Sequence, residues 1–176
     1  MTASSNLSKR RKTLVVSATP KEEFLIRPFK AEDLEAVYLI EKASFKDAWP
    51  KQSFLPTGKA EGQIFLVASH KGKVTGYVIA EILKPLRSYP LRGKIARLLN
   101  LAVDPHLRRR GLGSMLLKNV EDELKVRDVE EVALEVRGSN RGAVSFYLRH
   151  GFQKAGVIPY YYGDEDALAM TKNLRK

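Results

Sequence analysis

The chain has no cysteine, which excludes disulfides, a thiolate nucleophile and cysteine-ligated metal centres, and fits a cytoplasmic protein. Histidine is scarce, and His70, His106 and His150 stand at no metal-ligand spacing, so no metal site is expected. Long hydrophobic runs are missing too. No stretch is long enough to span a bilayer, and the opening MTASSNLSKRRKTLVVSATP has no signal-peptide core, so no membrane partner is expected. Acidic residues are outnumbered, 20 against 31 lysines and arginines, and the net charge of +11 favours anionic partners. A phosphate-bearing cofactor, acidic peptides and nucleic acid all fit that charge.

What is present suffices for one domain, since 176 residues of which 44% are hydrophobic can build a core of ordinary size. Residues 1–22, rich in Ser, Thr, Lys and Arg, read as a disordered basic arm, and residues 23–176 as the folded domain. An amphipathic transit peptide is the rival reading of the arm, but its apolar triplet Leu14 to Val16 makes a poor helix face.

FLIRPF reads as a strand ending at Pro28. AEDLEAVYLIEKASF places Leu34, Val37, Tyr38 and Phe45 near one helical face, with Glu32 and Asp33 where the helix dipole favours acids. Pro50 breaks that helix, and a short second one carries Phe54. IFLVAS and VTGYVIAEIL around His70-Lys71-Gly72-Lys73 predict an antiparallel hairpin, and KPLRSYPLRGK an exposed loop. ARLLNLAV predicts a central strand buried on both faces, and Leu112, Met115, Leu116, Val120 and Leu124 a helix to Val126. VEEVALEV follows as a second buried strand, so the order strand, helix, strand implies a parallel pair. RGAVSFYLRH predicts a helix stopped at Gly151, and GFQKAGVI with EDALAMTK a terminal antiparallel pair.

The turn Arg108-Arg109-Arg110-Gly111-Leu112-Gly113-Ser114 joins the first buried strand to its helix. Unpaired amides point out of a first helical turn, the dipole favours negative charge there, and glycine lets backbone approach closely, so the turn suits a pyrophosphate. A glycine-tightened turn with solvated arginines is the plainer reading. No Gly-Lys-Ser/Thr follows, and Leu116 stands where a dinucleotide fingerprint needs glycine, which argues against kinase and hydride-transfer chemistry.

Arg108-x-x-Gly111-x-Gly113 after LLNLAVDP resembles the acetyl-CoA loop of the GNAT superfamily of N-acetyltransferases, and LEVRGSNRGAVSFYLRHGF is similar to the second signature of its RimI-type and archaeal N-terminal acetyltransferases. Tyr160-Tyr161 followed by Glu165-Asp166-Ala167-Leu168 resembles the ending of that subfamily. The likeness implies an α/β GNAT fold, in which a mixed, mostly antiparallel central sheet has a V-shaped splay between two parallel central strands and is flanked by helices. It further implies that the strand from Arg97 to Val103 and the strand from Val132 to Val136 diverge, and that acetyl-CoA enters between them. Main-chain groups of Leu101, Ala102 and Val103 would meet its pantetheine. Residues Arg108, Arg109, Arg110, Gly111, Leu112, Gly113 and Ser114 would hold its pyrophosphate, with Asn140 and Tyr147 along the cofactor arm. Asn140 also reads as a helix N-cap.

By the same resemblance Glu135 is the general base and Tyr147 the general acid of a direct transfer without an acyl-enzyme. From the residues alone, Glu135 interrupts an apolar strand and so faces either a cleft or solvent, while a helix tyrosine is more often core. Some archaeal relatives carry a histidine where Arg97 stands, so a second base at that place is not expected here. Phe45, Asp47 and Trp49 on one side and Tyr160 and Tyr161 on the other are the expected substrate-binding residues; Asp47, where relatives can carry an acid near the substrate amine, is the alternative base to Glu135 and also reads as a surface acid, and Trp49 also reads as a core plug. The implied substrates are protein or peptide N-termini, with ribosomal proteins as candidates. An acetyltransferase for lysine side chains or a small-molecule amine is the alternative. A ribosome- or RNA-binding role for the basic arm is a further expectation, and a domain that has lost catalysis is disfavoured by the presence of Glu135 and Tyr147.

Overall fold

The computed structural model describes residues 14–19, 22–83 and 93–175. These form eight strands in one sheet and four α-helices. In chain order they are β1 (Leu14–Thr19), β2 (Glu22–Pro28), α1 (Leu34–Ser44), α2 (Phe54–Thr57), β3 (Gln63–His70) and β4 (Lys73–Ile82), then β5 (Lys94–Val103), α3 (Leu112–Val126), β6 (Val129–Arg137), α4 (Arg141–Arg149), β7 (Gln153–Ile158) and β8 (Ala167–Asn173). The sheet order is β1-β2-β3-β4-β5-β6-β8-β7, antiparallel throughout except for the β5–β6 pair.

Period-two alternation in the hairpin creates two cores. In β3, Ile64, Leu66 and Ala68 enter one layer with Leu112, Leu116, Leu117, Val120 and Leu124 of α3, while Phe65 and Val67 enter the other with Val37 and Ile40 of α1. Helices thus cover both sheet faces, which is why β3 carries six buried residues in a row. Each fully buried Leu or Val here contributes about 1.5–3 kcal/mol. Asp33 fixes the start of α1: its carboxylate accepts from both terminal nitrogens of Arg27 at 2.6 and 2.7 Å and from the Lys30 amide at 2.8 Å.

The feature that makes the site is a parallel pair that parts. β5 and β6 are in register only from Lys94 opposite Val129 to Arg97 opposite Ala133. Just past that point β5 slips one residue against β4, so that Leu99 has no partner between the Leu98–Ala80 and Asn100–Ile79 pairs. An extra residue in one strand bends it away from its neighbour. Leu98 to Val103 therefore keep β4 on one edge and face a cleft on the other.

Two expectations change. Leu14–Thr19, assigned to a disordered arm, pairs antiparallel with β2 as the edge strand of the sheet. β5 is not buried on both faces along its whole length: Leu99, Asn100 and Leu101 are half-buried because they border the cleft. Residues 84–92 of the predicted 84–94 loop, with residues 1–13, 20, 21 and 176, lie outside the described residues, and Lys94 at the loop's end already belongs to β5.

Candidate active site

The cleft between the diverging ends of β5 and β6 has a volume of about 1130 Å³. One end is built by the turn into α3. The Asp104 carboxylate accepts from the His106 amide at 2.9 Å, and Pro105 follows it in a single 3-10 turn. Arg109 at φ 65° and Gly111 at φ 84° then reverse the chain into the helix. Gly111 is in the left-handed region as the N-cap of α3, where a side chain is strained. The amides of the first helical turn have no acceptor within their own helix and open on the cleft, as an anion site requires.

Arg108 is tied inward: its Nε donates to Val103 O at 3.0 Å and its Nη2 to Ser44 Oγ at 2.9 Å, fastening the end of β5 to α1. Gly113 faces α4, and a Cβ there would stand 3.4 Å from the Phe146 ring. Asn140 caps α4 by accepting from the Ala143 amide at 3.1 Å, and it also lines the cleft. Ser114 Oγ lies 2.8 Å from His150 Nε2, which joins the first turn of α3 to the end of α4. Arg110 does not line the cleft.

At the other end Glu135 of β6 accepts from Arg97 Nε of β5 at 2.7 Å, and its side chain is 18% exposed. Arg97 stands on the last paired rung of β5, so the salt bridge crosses the strands where they part. Its Nη2 reaches on to the Tyr161 hydroxyl. Tyr147 of α4 is half-buried, with its ring edge-on to Phe146 at 5.2 Å and to Phe152 at 5.4 Å. Its hydroxyl makes no hydrogen bond to the described residues, and burial pushes the phenol well above its ordinary value.

The two loops that face each other across this end are joined by charge. Arg137 pairs with Asp47 from the α1–α2 loop and with Asp164 at 2.9 Å and Glu165 at 3.1 Å from the β7–β8 loop, while Lys46 pairs with Asp164 at 2.6 Å. Lys46 and then Arg137 hold the Asp164 carboxyl well below its ordinary range. Arg137 also stacks over the Tyr162 ring at 4.2 Å. Phe45 and Trp49 line the same end while packing on the α1 core.

The cleft therefore brings together Glu135, Tyr147, the β5 edge, the α3 turn, Asn140, Phe45, Asp47, Trp49 and Tyr161. It leaves out Tyr160, which is 79% exposed at φ 52° and turned away; Tyr162 takes that place and donates to Glu135 O at 3.3 Å. Glu41, Asn100, Arg137 and Tyr162 also line the cleft, and none of them is singled out by sequence alone. Glu41 carries one signal: it falls on the apolar face of α1, one residue after Ile40 and four after Val37. Among the described residues no group of three or more His, Asp or Glu could hold a metal, and no helix is long and apolar enough to cross a membrane.

Residues 34–152 match the family model described as Acetyltransferase (GNAT) family. The chain is 33% identical over 149 residues to the ribosomal protein bS18-alanine N-acetyltransferase of Escherichia coli, covering 82% of this chain and 94% of that protein. It is 32% identical over 158 residues to an N-alpha-acetyltransferase of Sulfurisphaera tokodaii, with 87% and 95% covered. The crystal structure of Ard1 from Thermoplasma volcanium superposes with a TM-score of 0.76 at 29% identity, over 85% of this chain and 97% of that one. With a cleft opened by parting parallel strands, a glycine turn at its helix N-terminus and this similarity over most of its length, the chain belongs to the GNAT acetyltransferase family.

Proposed function

We propose that the protein is a cytoplasmic, acetyl-CoA-dependent N-terminal acetyltransferase that transfers acetyl directly to the α-amine of protein substrates, ribosomal proteins among them. The observation that carries this reading is the meeting of Glu135, Tyr147 and the free edge of β5 in one cleft whose far end is an anion cradle. The names of the Escherichia coli and Sulfurisphaera relatives support it.

The residues fit the cofactor. The first-turn amides of α3 and Arg109 suit a pyrophosphate, and the β5 edge at Leu101 and Val103, which has no strand beside it, suits an extended chain carrying amides. Acetyl-CoA, when bound, supplies the acetyl group as an activated thioester. The backbone amide of Leu101 or Val103 polarises its carbonyl. Glu135 accepts a proton from the incoming amine, and Tyr147, whose hydroxyl bonds to none of the described residues, donates to the departing sulfur.

An α-amine asks less of a base than a lysine side chain does. With ordinary pKa values of ~7.8 and ~10.4, about a quarter of α-amines but only about one lysine in a thousand are neutral at pH 7.4. The walls supplied by Phe45, Trp49 and Tyr161 fit a small first residue.

Turnover of acetyl-CoA against peptides differing in their first two residues, beside N-blocked lysine peptides and polyamines, tests the reading. Transfer to free α-amines at rates above the controls is expected; transfer only to lysine or polyamines would overturn it. The basic stretch before β1 is assigned to ribosome or RNA association, so removing residues 2–13, which spares β1, should weaken that association and leave peptide turnover intact. Unchanged association would sink this assignment.

A further inference from the structure

Glu41 is 1% exposed, yet among the described residues it has no cationic partner. Its carboxylate is met by neutral donors: the Trp49 amide at 2.8 Å, the Tyr77 hydroxyl, and Asn100 Nδ2 at 3.3 and 3.4 Å from its two oxygens. A buried carboxylate is costly, and one kept among neutral donors wants a use. Burial itself raises this carboxyl above its ordinary value.

The contact with Asn100 settles which way that side chain faces. A carboxylate offers only acceptors, so the Asn100 carboxamide must turn its NH₂ to Glu41 and its Oδ1 away. Asn100 lines the cleft, and its Oδ1 has no donor among the described residues, so the oxygen is an open acceptor there. It shares a strand face with Ala102, which packs in the α1 core, and so it lies on the side of the sheet where Phe45 and Trp49 form the wall. Asn100 is also the first rung after the slip that opens the cleft, one residue from Leu101 and three from Arg97.

We propose that Asn100 Oδ1 accepts a hydrogen bond from the amine of the substrate, and that Glu41 is the positioning residue that holds the carboxamide with this oxygen toward the cleft. The inference rests on the reading of the cleft as an amine acetyltransferase site. A neutral amide oxygen suits the step. It accepts an N–H of the amine after deprotonation as well as before, and leaves the amine's lone pair for attack while Glu135 takes the proton. Glu41 also holds the Trp49 amide, so the wall and the acceptor are set by one group.

Four proteins test this: wild type, Glu41→Gln, Asn100→Ala, and the exchange Glu41→Gln with Asn100→Asp. In Glu41→Gln one of the two oxygens that hold the Asn100 NH₂ becomes an NH₂ that repels it, so the carboxamide is no longer fixed with its oxygen toward the cleft. In the exchange the carboxamide now on α1 donates to the carboxylate now on β5, whose other oxygen points to the cleft, and the net charge of the pair matches wild type. We expect kcat/KM for the amine to fall about tenfold or more in Glu41→Gln and in Asn100→Ala, with KM for acetyl-CoA changed by less than about threefold. The exchange should regain most of the loss. A purely structural Glu41 would instead lower the melting temperature while leaving kcat/KM alike well below it, and that result overturns the proposal. So does an exchange no more active than Glu41→Gln. Asn100→Ala leaves the other two donors to Glu41 in place and keeps the test open if Glu41→Gln fails to fold. Wild-type turnover on polyamines without turnover on peptides would overturn the α-amine reading alone. The same four proteins assayed on the polyamine would then decide the role of Asn100.

Discussion

Tyr147→Phe should separate activity from stability. The substitution keeps the ring that meets Phe146 at 5.2 Å and Phe152 at 5.4 Å, so the packing of α4 against the end of the sheet is unchanged. The hydroxyl it removes makes no hydrogen bond to the described residues, so none of the usual ~0.5–1.5 kcal/mol of a protein hydrogen bond is lost. Stability should stay within about 0.5 kcal/mol of wild type, a shift of about 2 °C or less for a chain of this size. Activity should not stay. A positioned acid contributes about 10²- to 10⁴-fold, and burial keeps this phenol protonated at neutral pH, so kcat should fall by about that factor. Thiol release from acetyl-CoA gives the rate and calorimetry the melting temperature. A variant that keeps kcat within about threefold of wild type, or loses it only in step with its melting temperature, refutes the assignment of Tyr147 as acid.

Three further outcomes follow from other parts of the cleft. Gly111→Ala forces a side chain into φ 84° at the cap of α3, which costs about 1–2 kcal/mol and should raise KM for acetyl-CoA more than KM for peptide, read by initial rates. Arg137→Met removes the centre of the ion cluster joining the two loops, so KM for peptide should rise about two- to fivefold at low salt. Wild type should drift toward the variant as salt is added, because exposed pairs are screened. The third concerns pH. Burial raises the Glu41 carboxyl above its ordinary 4.5, against the pull of Trp49, Tyr77 and Asn100. A carboxyl raised in the folded state contributes most below its ordinary value and progressively less as pH rises through the folded one. The melting temperature of wild type relative to Glu41→Gln should therefore fall as pH rises above about 4.5, and a gap moving the other way in calorimetry would reverse the sign assigned to Glu41.

The parts of this molecule readable from sequence are those written in local periodicity or in a compact motif. The β3–β4 hairpin shows as two apolar runs around a turn, α3 as a repeat from Leu112 to Leu124, and the cradle as glycines between a strand and a helix. Glu135 stands out because a charge inside an apolar strand needs a reason. Arg137 cannot be read this way. Its partners Asp47 and Glu165 lie 90 and 28 residues away, and only the closure of the sheet brings them together. Glu41 stands out only by falling on the apolar face of α1; its partners Trp49, Tyr77 and Asn100 come from other segments and are not legible. Among the three consecutive tyrosines, the positive φ of Tyr160 decides which ring turns outward, and that angle belongs to the turn, not to the residue type. β1 is not legible because one apolar triplet, Leu14 to Val16, at the end of a basic tail gives no alternation to read, yet its backbone pairs all the same.

The most direct test of N-terminal acetyl transfer is the position of the acetyl group on a peptide that offers both a free α-amine and one internal lysine, located by fragmentation mass spectrometry after reaction with wild type and with Glu135→Gln. Acetyl is predicted on the α-nitrogen alone, at a rate lower by about a hundredfold or more in the variant. Acetyl on the lysine Nζ, or equal rates from the two proteins, would contradict it.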